Sequence, residues 1–131
     1  MSKRASGTFE VKLSPQGPDA HGEASLGRLS IDKLFHGDLD GPSKGQMLTA
    51  GTDVKGSAVY VAVERVTGML HGKSGAFSLH HTGIMNRGSA SLTVHVVPDS
   101  GTGELTGITG QMQITIADGK HLYELDYTTP D

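Results

Sequence analysis

Apolar and polar residues alternate with a period of two along most of this chain, which predicts strands rather than helices. Phe9, Val11 and Leu13 share one face of the segment 7–13, with Thr8, Glu10 and Lys12 on the other. Leu26 to Phe35 forms a second run, with Leu29 and Ile31 opposite Arg28, Ser30 and Asp32. Gly45 to Ala50 is a third, shorter run, and Gly56 to Leu70 is long and rich in valine. Segments 76–85, 89–97, 104–116 and 120–127 complete a set of about eight strands. No window keeps the i, i+3, i+4, i+7 spacing of a helix without a glycine or a β-branched run intruding.

Turn residues fall between these runs, at Gly37-Asp38, Gly51-Thr52-Asp53, Gly72-Lys73-Ser74-Gly75, Asn86-Arg87-Gly88, Asp99-Ser100-Gly101 and Asp118-Gly119. Gly, Asn and Asp tolerate the positive φ that tight hairpins require. Asp118-Gly119 is the strongest such signal, because apolar alternation precedes it and follows it. Short turns imply antiparallel neighbours, since a parallel crossover needs a dozen or more residues. Residues 14–25, with His21 among them, read as a polar loop. An antiparallel sheet leaves two edges exposed unless it closes on itself. The expected architecture is therefore all-β: a single small closed antiparallel barrel of about eight strands, with a two-sheet sandwich as the alternative. One domain covers 1–131, with 1–6 and 128–131 expected as flexible ends.

Composition narrows the function classes. With no cysteine there is no disulfide framework, thiol nucleophile or zinc finger. A net charge of -3, from 14 acidic and 11 basic residues, argues against nucleic acid or an anionic membrane as partner. The longest fully apolar run, Ala58 to Val63, is far short of the ~20 residues of a spanning helix. Met1-Ser2-Lys3-Arg4 leads into polar sequence without a signal-peptide stretch, so a cytoplasmic location is expected.

Two glycine-rich stretches mimic phosphate sites. Gly68 to Ser74 is one residue short of a phosphate loop and lies between two strands, where no helix N-terminus is available. Gly101, Gly103, Gly107 and Gly110 miss the dinucleotide fingerprint for the same reasons. Both read as turns.

Among the seven histidines, His36 and His71 each precede a glycine at a strand end. His80 and His81 are adjacent on one strand and point to opposite faces. His81 shares a face with Phe77 and Leu79, His95 lies opposite Val94 and Val96, and His121 shares a face with Tyr123, Leu125 and Tyr127. Convergence of His81, His95 and His121 on a metal is geometrically allowed, but no spacing announces it. No metal or cofactor is expected.

Glu64 is the most informative position. Tyr60, Ala62, Glu64 and Val66 fall on one face of an apolar strand and Val59, Val61, Val63 and Arg65 on the other. If the valine face is core, Glu64 is a solvated surface residue, the reading that the rarity of buried charge favours. If the valine face packs against another subunit in a homo-oligomer, Tyr60, Ala62 and Glu64 look into the barrel. A carboxylate there is expected to have a raised pKa and to serve as general acid or base.

Several stretches carry a family resemblance. They are Gly7 to Val11; Gly27-Arg28 with Lys33, Phe35, His36, Gly37, Asp38 and Leu39; and Gly56-Ser57-Ala58 with Tyr60 to Glu64. Gly72 to Gly75 with Phe77, Leu79, His81 and Gly83, Val96-Val97-Pro98 with Ser100 to Leu105, and Lys120-His121 with Tyr123 complete the set. Together they resemble the bacterial domain of unknown function 3224 over roughly Gly7 to Tyr127. That family is grouped by fold with allene oxide cyclase, which implies a closed antiparallel barrel. The resemblance implies no settled activity and carries over no catalytic residue, but Tyr60, Glu64, His81, His121 and Tyr123 stand in its signature blocks. This raises the cavity reading for all five.

The functional expectation is a barrel for a small, largely apolar organic molecule. Glu64 and His81 are the expected acid/base pair of a cofactor-independent isomerase, cyclase or eliminase. Tyr60, Ala62, Phe77, Leu79, His95, His121 and Tyr123 are expected to contact substrate. The alternatives are a non-catalytic carrier of a hydrophobic ligand, or a structural module with a packed barrel and an oligomeric contact on the valine face.

Overall fold

A computed structural model describes residues 2–16 and 26–130. It contains β1 (Lys3–Pro15), β2 (Leu26–Gly37), β3 (Leu39–Gly51), β4 (Ala58–Leu70), β5 (Lys73–Asn86), β6 (Ser89–Val96), β7 (Thr102–Gly103), β8 (Thr109–Ala117) and β9 (Lys120–Thr128). All pairings are antiparallel. The order β4-β3-β2-β1-β9-β8-β6-β5 is closed by the additional β4–β5 pairing into an eight-stranded barrel. The two-residue β7 adds to the end of β5. Closure removes the free edges that an open sheet of this length would present.

The turns follow from local chemistry. His71-Gly72, Arg87-Gly88 and Asp118-Gly119 each have positive φ at both positions and each closes a two-residue hairpin. That is the type I′ geometry, whose twist matches the flanking strands. The phosphate-loop mimic at 68–74 is therefore the β4–β5 hairpin.

The boundaries differ from the sequence reading in four places. The third strand runs from Leu39 rather than Gly45, because Gly41 and Pro42 sit inside it opposite Phe35 and Leu34. Residues 104–108 form a turn instead of strand, and its Leu105 and Ile108 enter the core. Residues 3–6, expected as a flexible end, pair with β9 from Lys3↔Tyr127 onward. Of the expected 14–25 loop, Ser14 and Pro15 belong to β1, and His21 lies outside the described residues.

The interior has two halves. One end is packed: Phe35, Leu39, Leu70, Phe77, Leu79, Ile108 and Leu125 are fully buried, with Leu105 and Ile108 as a plug. Tyr123 ties this end together. Its hydroxyl accepts from Leu39 N (2.9 Å) and shares its hydrogen between the carbonyls of His36 (2.9 Å) and Leu39 (3.0 Å). At the other end, the apolar side chains in the same inward phase are open. Leu13, Met85, Leu92 and Ile116 are 43%, 40%, 39% and 67% exposed.

Candidate functional site

The alternation of β4 settles which face looks inward. Ala62, Glu64 and Val66 are buried and Tyr60 is half-buried, whereas Val59, Val61, Val63 and Arg65 are exposed outside. The valine face is therefore not core, and Glu64 is not a solvated surface residue.

Three further polar side chains meet Glu64. Lys33 on β2, Ser43 on β3 and His81 on β5 all stand in the inward phase of their strands, and all four residues are buried. Lys33 Nζ donates to Glu64 Oε2 (2.8 Å), and His81 Nε2 donates to the same oxygen (2.5 Å). Ser43 Oγ donates to Oε1 (2.7 Å). The Lys33 ammonium also lies 4.6 Å from the Phe9 ring centroid and 5.4 Å from that of Phe35, within cation–π range. Among the described residues no buried side-chain polar atom lacks a partner.

The electrostatics reverse the expectation for Glu64. Burial alone raises a carboxyl pKa, and it is the largest influence here. The His81 hydrogen bond, the Lys33 charge, the His81 charge and the Lys33 hydrogen bond together outweigh it. They lower the Glu64 pKa from 4.5 to about 2. Glu64 is therefore ionised at neutral pH and can only accept hydrogen bonds. It follows that His81 Nε2 carries the hydrogen shared with Glu64. Nδ1 is the ring atom left to take or give a proton.

The open end of the barrel lies above this cluster. At its rim a cavity of about 470 Å³ is lined by Thr49, Tyr60, Gly83, Met85 and Leu92 together with the outward-facing Val59 and Ile84, and Tyr60 and Gly83 stand two positions along their strands from Ala62 and His81. Tyr60 lies across Gly83, where an added Cβ would fall 2.1 Å from its ring. Only glycine leaves room for that pose. Burial, and then the Glu64 charge, raise the Tyr60 pKa, which keeps its hydroxyl protonated as a donor. Ala62, small and buried, sits between Tyr60 and Glu64 in the inward phase of β4. His121 flanks the same end, with its ring 5.0 Å from that of Phe9.

The remaining expected site residues fall elsewhere. Phe77 and Leu79 are fully buried in the packed core. The Tyr123 hydroxyl is already occupied by backbone groups, so it is a structural tie and not a donor to substrate. His95 needs outright correction: it points outward, exposed, stacked on His80 at 5.8 Å. His81, His95 and His121 therefore do not converge, and no group of three metal-ligating side chains occurs among the described residues. Sequence reasoning missed Lys33 and Ser43. Lys33 carried a readable signal, a cation in the apolar phase of Leu29, Ile31 and Phe35.

Comparison with known proteins places this barrel in context. The family described as "Protein of unknown function (DUF3224)" matches residues 5–127. The crystal structure of a DUF3224-family protein of unknown function from Shewanella oneidensis MR-1 is similar at 46% identity and a TM-score of 0.93. That similarity covers 100% of this chain and 99% of the other. No curated protein matches.

Proposed function

The chain belongs to the DUF3224 family, and on that footing we propose that it is a small-molecule barrel catalysing a cofactor-independent proton transfer. The observation that carries this reading is the buried Lys33–Glu64–His81–Ser43 cluster on the inner wall of a barrel with an apolar mouth. Burying an ion pair rarely stabilises a fold more than apolar packing would. A buried ionisable cluster with a strongly shifted carboxylate is a candidate site for proton chemistry.

In this reading a small, largely apolar molecule enters between Tyr60, Met85 and Leu92. His81 Nδ1 takes a proton from carbon next to a carbonyl or similar activating group. Glu64 is a positioning residue, because it fixes the His81 tautomer and stabilises the imidazolium that forms. Lys33 keeps Glu64 ionised, and Tyr60 donates to the oxygen on which negative charge develops. Enolisation of this kind opens routes to isomerisation, to aldol-type cyclisation and to β-elimination. The test incubates the protein with small ketones in deuterated water and follows deuterium uptake by mass spectrometry. Uptake lost in His81→Asn and retained in His95→Asn supports the reading; equal uptake in both variants refutes it.

The second reading is a carrier that binds a hydrophobic ligand without turning it over. The absence of solvent exposure at the Glu64 side chain favours it. Saturable binding of an apolar ketone without any deuterium uptake would select the carrier.

A further inference from the structure

The outer face of the barrel carries a second histidine constellation, separate from the proposed site. His80 on β5 and His95 on β6 are direct cross-strand partners. Both are exposed, and their rings stack at 5.8 Å between centroids and 27° between planes. Directly opposed residues on one sheet face have Cβ atoms about 4.5–5.5 Å apart. Two imidazoles on that base can each reach a common point above the sheet.

We infer that His80 and His95 form a two-point chelate for a borderline divalent transition ion, with Zn²⁺ as the reference case. A zinc–imidazole bond is about 2.0–2.1 Å, so two nitrogens at a tetrahedral angle stand roughly 3.3 Å apart. Both rings are exposed, so the adjustment the chelate requires is one of side-chain rotamer. Imidazole ligands suit Zn²⁺, Cu²⁺ and Ni²⁺, whereas Ca²⁺ and Mg²⁺ require oxygen-rich cages.

The surroundings are consistent with a chelate and not with a salt-bridge network. The row through this pair reads Gln46, Val63, His80, His95, Gln111 and Asp126 across adjacent strands. Asp126, the acid in that row, lies two strands from His95 and is held by Arg4, with Nε to Oδ1 at 2.8 Å. Neither His80 nor His95 has a carboxylate directly beside it in the row to compete with a metal ion for its ring. Neutral imidazoles with free lone pairs are the form that binds metal. Gln111 is the direct cross-strand neighbour of His95, and the positions not filled by the two imidazoles are left to water.

Isothermal titration of Zn²⁺ into the full chain, first stripped with chelator, tests this inference. One ion per chain is expected. His80→Gln and His95→Gln should each weaken binding about tenfold or more, as expected when two-point attachment becomes one-point. His36→Gln, whose ring already contacts Glu10 at 2.8 Å, should leave the isotherm unchanged. Circular dichroism confirms that each variant folds. Absence of saturable binding, or an isotherm insensitive to both His80→Gln and His95→Gln, overturns the chelate.

Discussion

At the plugged end of the barrel, Leu39, Leu70 and Ile108 are wholly removed from water. At the opposite end, Leu92 and Ile116, equally in the inward phase, stay 39% and 67% exposed. Strand alternation is the same at both ends, so alternation decides only which way a side chain faces. What fills the first end is non-local: Leu105 and Ile108 enter from the turn after β7, and the Tyr123 hydroxyl clamps the β2–β3 turn. No equivalent plug is seen among the described residues at the second end. There the ion cluster on the inner wall takes the place of apolar contacts. One half of the barrel is filled by apolar packing, and the proposed guest would enter through the other.

The largest expected effect comes from breaking the ion cluster. Lys33→Met leaves Glu64 charged and buried without its cation, and should cost about 3–5 kcal/mol in urea unfolding. Adding Glu64→Gln to that variant should recover much of the loss, since no unpaired charge then remains. Phe35→Ala in the packed half should also cost about 3–5 kcal/mol, whereas Leu92→Ala at the mouth should cost under about 1 kcal/mol. Equal losses at the two ends would erase the distinction between them.

Acid should reveal the cluster next. Glu64 has a folded pKa of about 2 against an ordinary 4.5, so the unfolded chain binds the proton more readily. Its contribution is complete above about pH 4.5 and disappears as pH falls toward 2, amounting to on the order of 3 kcal/mol. In Glu64→Gln this part of the acid-unfolding profile should flatten. A loss of about 1–3 kcal/mol by thermal unfolding is expected for Tyr123→Phe, because Leu39 N loses its acceptor.

Much of this architecture was legible in the sequence. Period-two alternation and the Asp118-Gly119 and Arg87-Gly88 turns predict hairpins, and hairpins in succession predict closure. Glu64 and His81 were readable as candidates because each interrupts an apolar phase. Lys33 interrupts one in the same way and could have been paired with Glu64 by charge. Ser43 could not be found, since Gly41, Pro42 and Gly45 disguise its strand as a loop. Without Lys33 and Ser43, burial seemed the governing influence on Glu64, which inverted the expected pKa direction. The outward placement of His95 follows from its phase opposite Val94 and Val96, which a place among the cavity residues contradicts.

The account turns on a guest reaching His81 through the apolar mouth. Titrating cyclohexanone into the isotopically labelled protein and mapping NMR shift changes tests this directly. The account predicts saturable changes at the His81 imidazole, Tyr60, Leu92 and Met85, with Leu39 and Leu70 unmoved. Changes confined to the plugged end or the outer valine face, or none at saturation of the solvent, would contradict it.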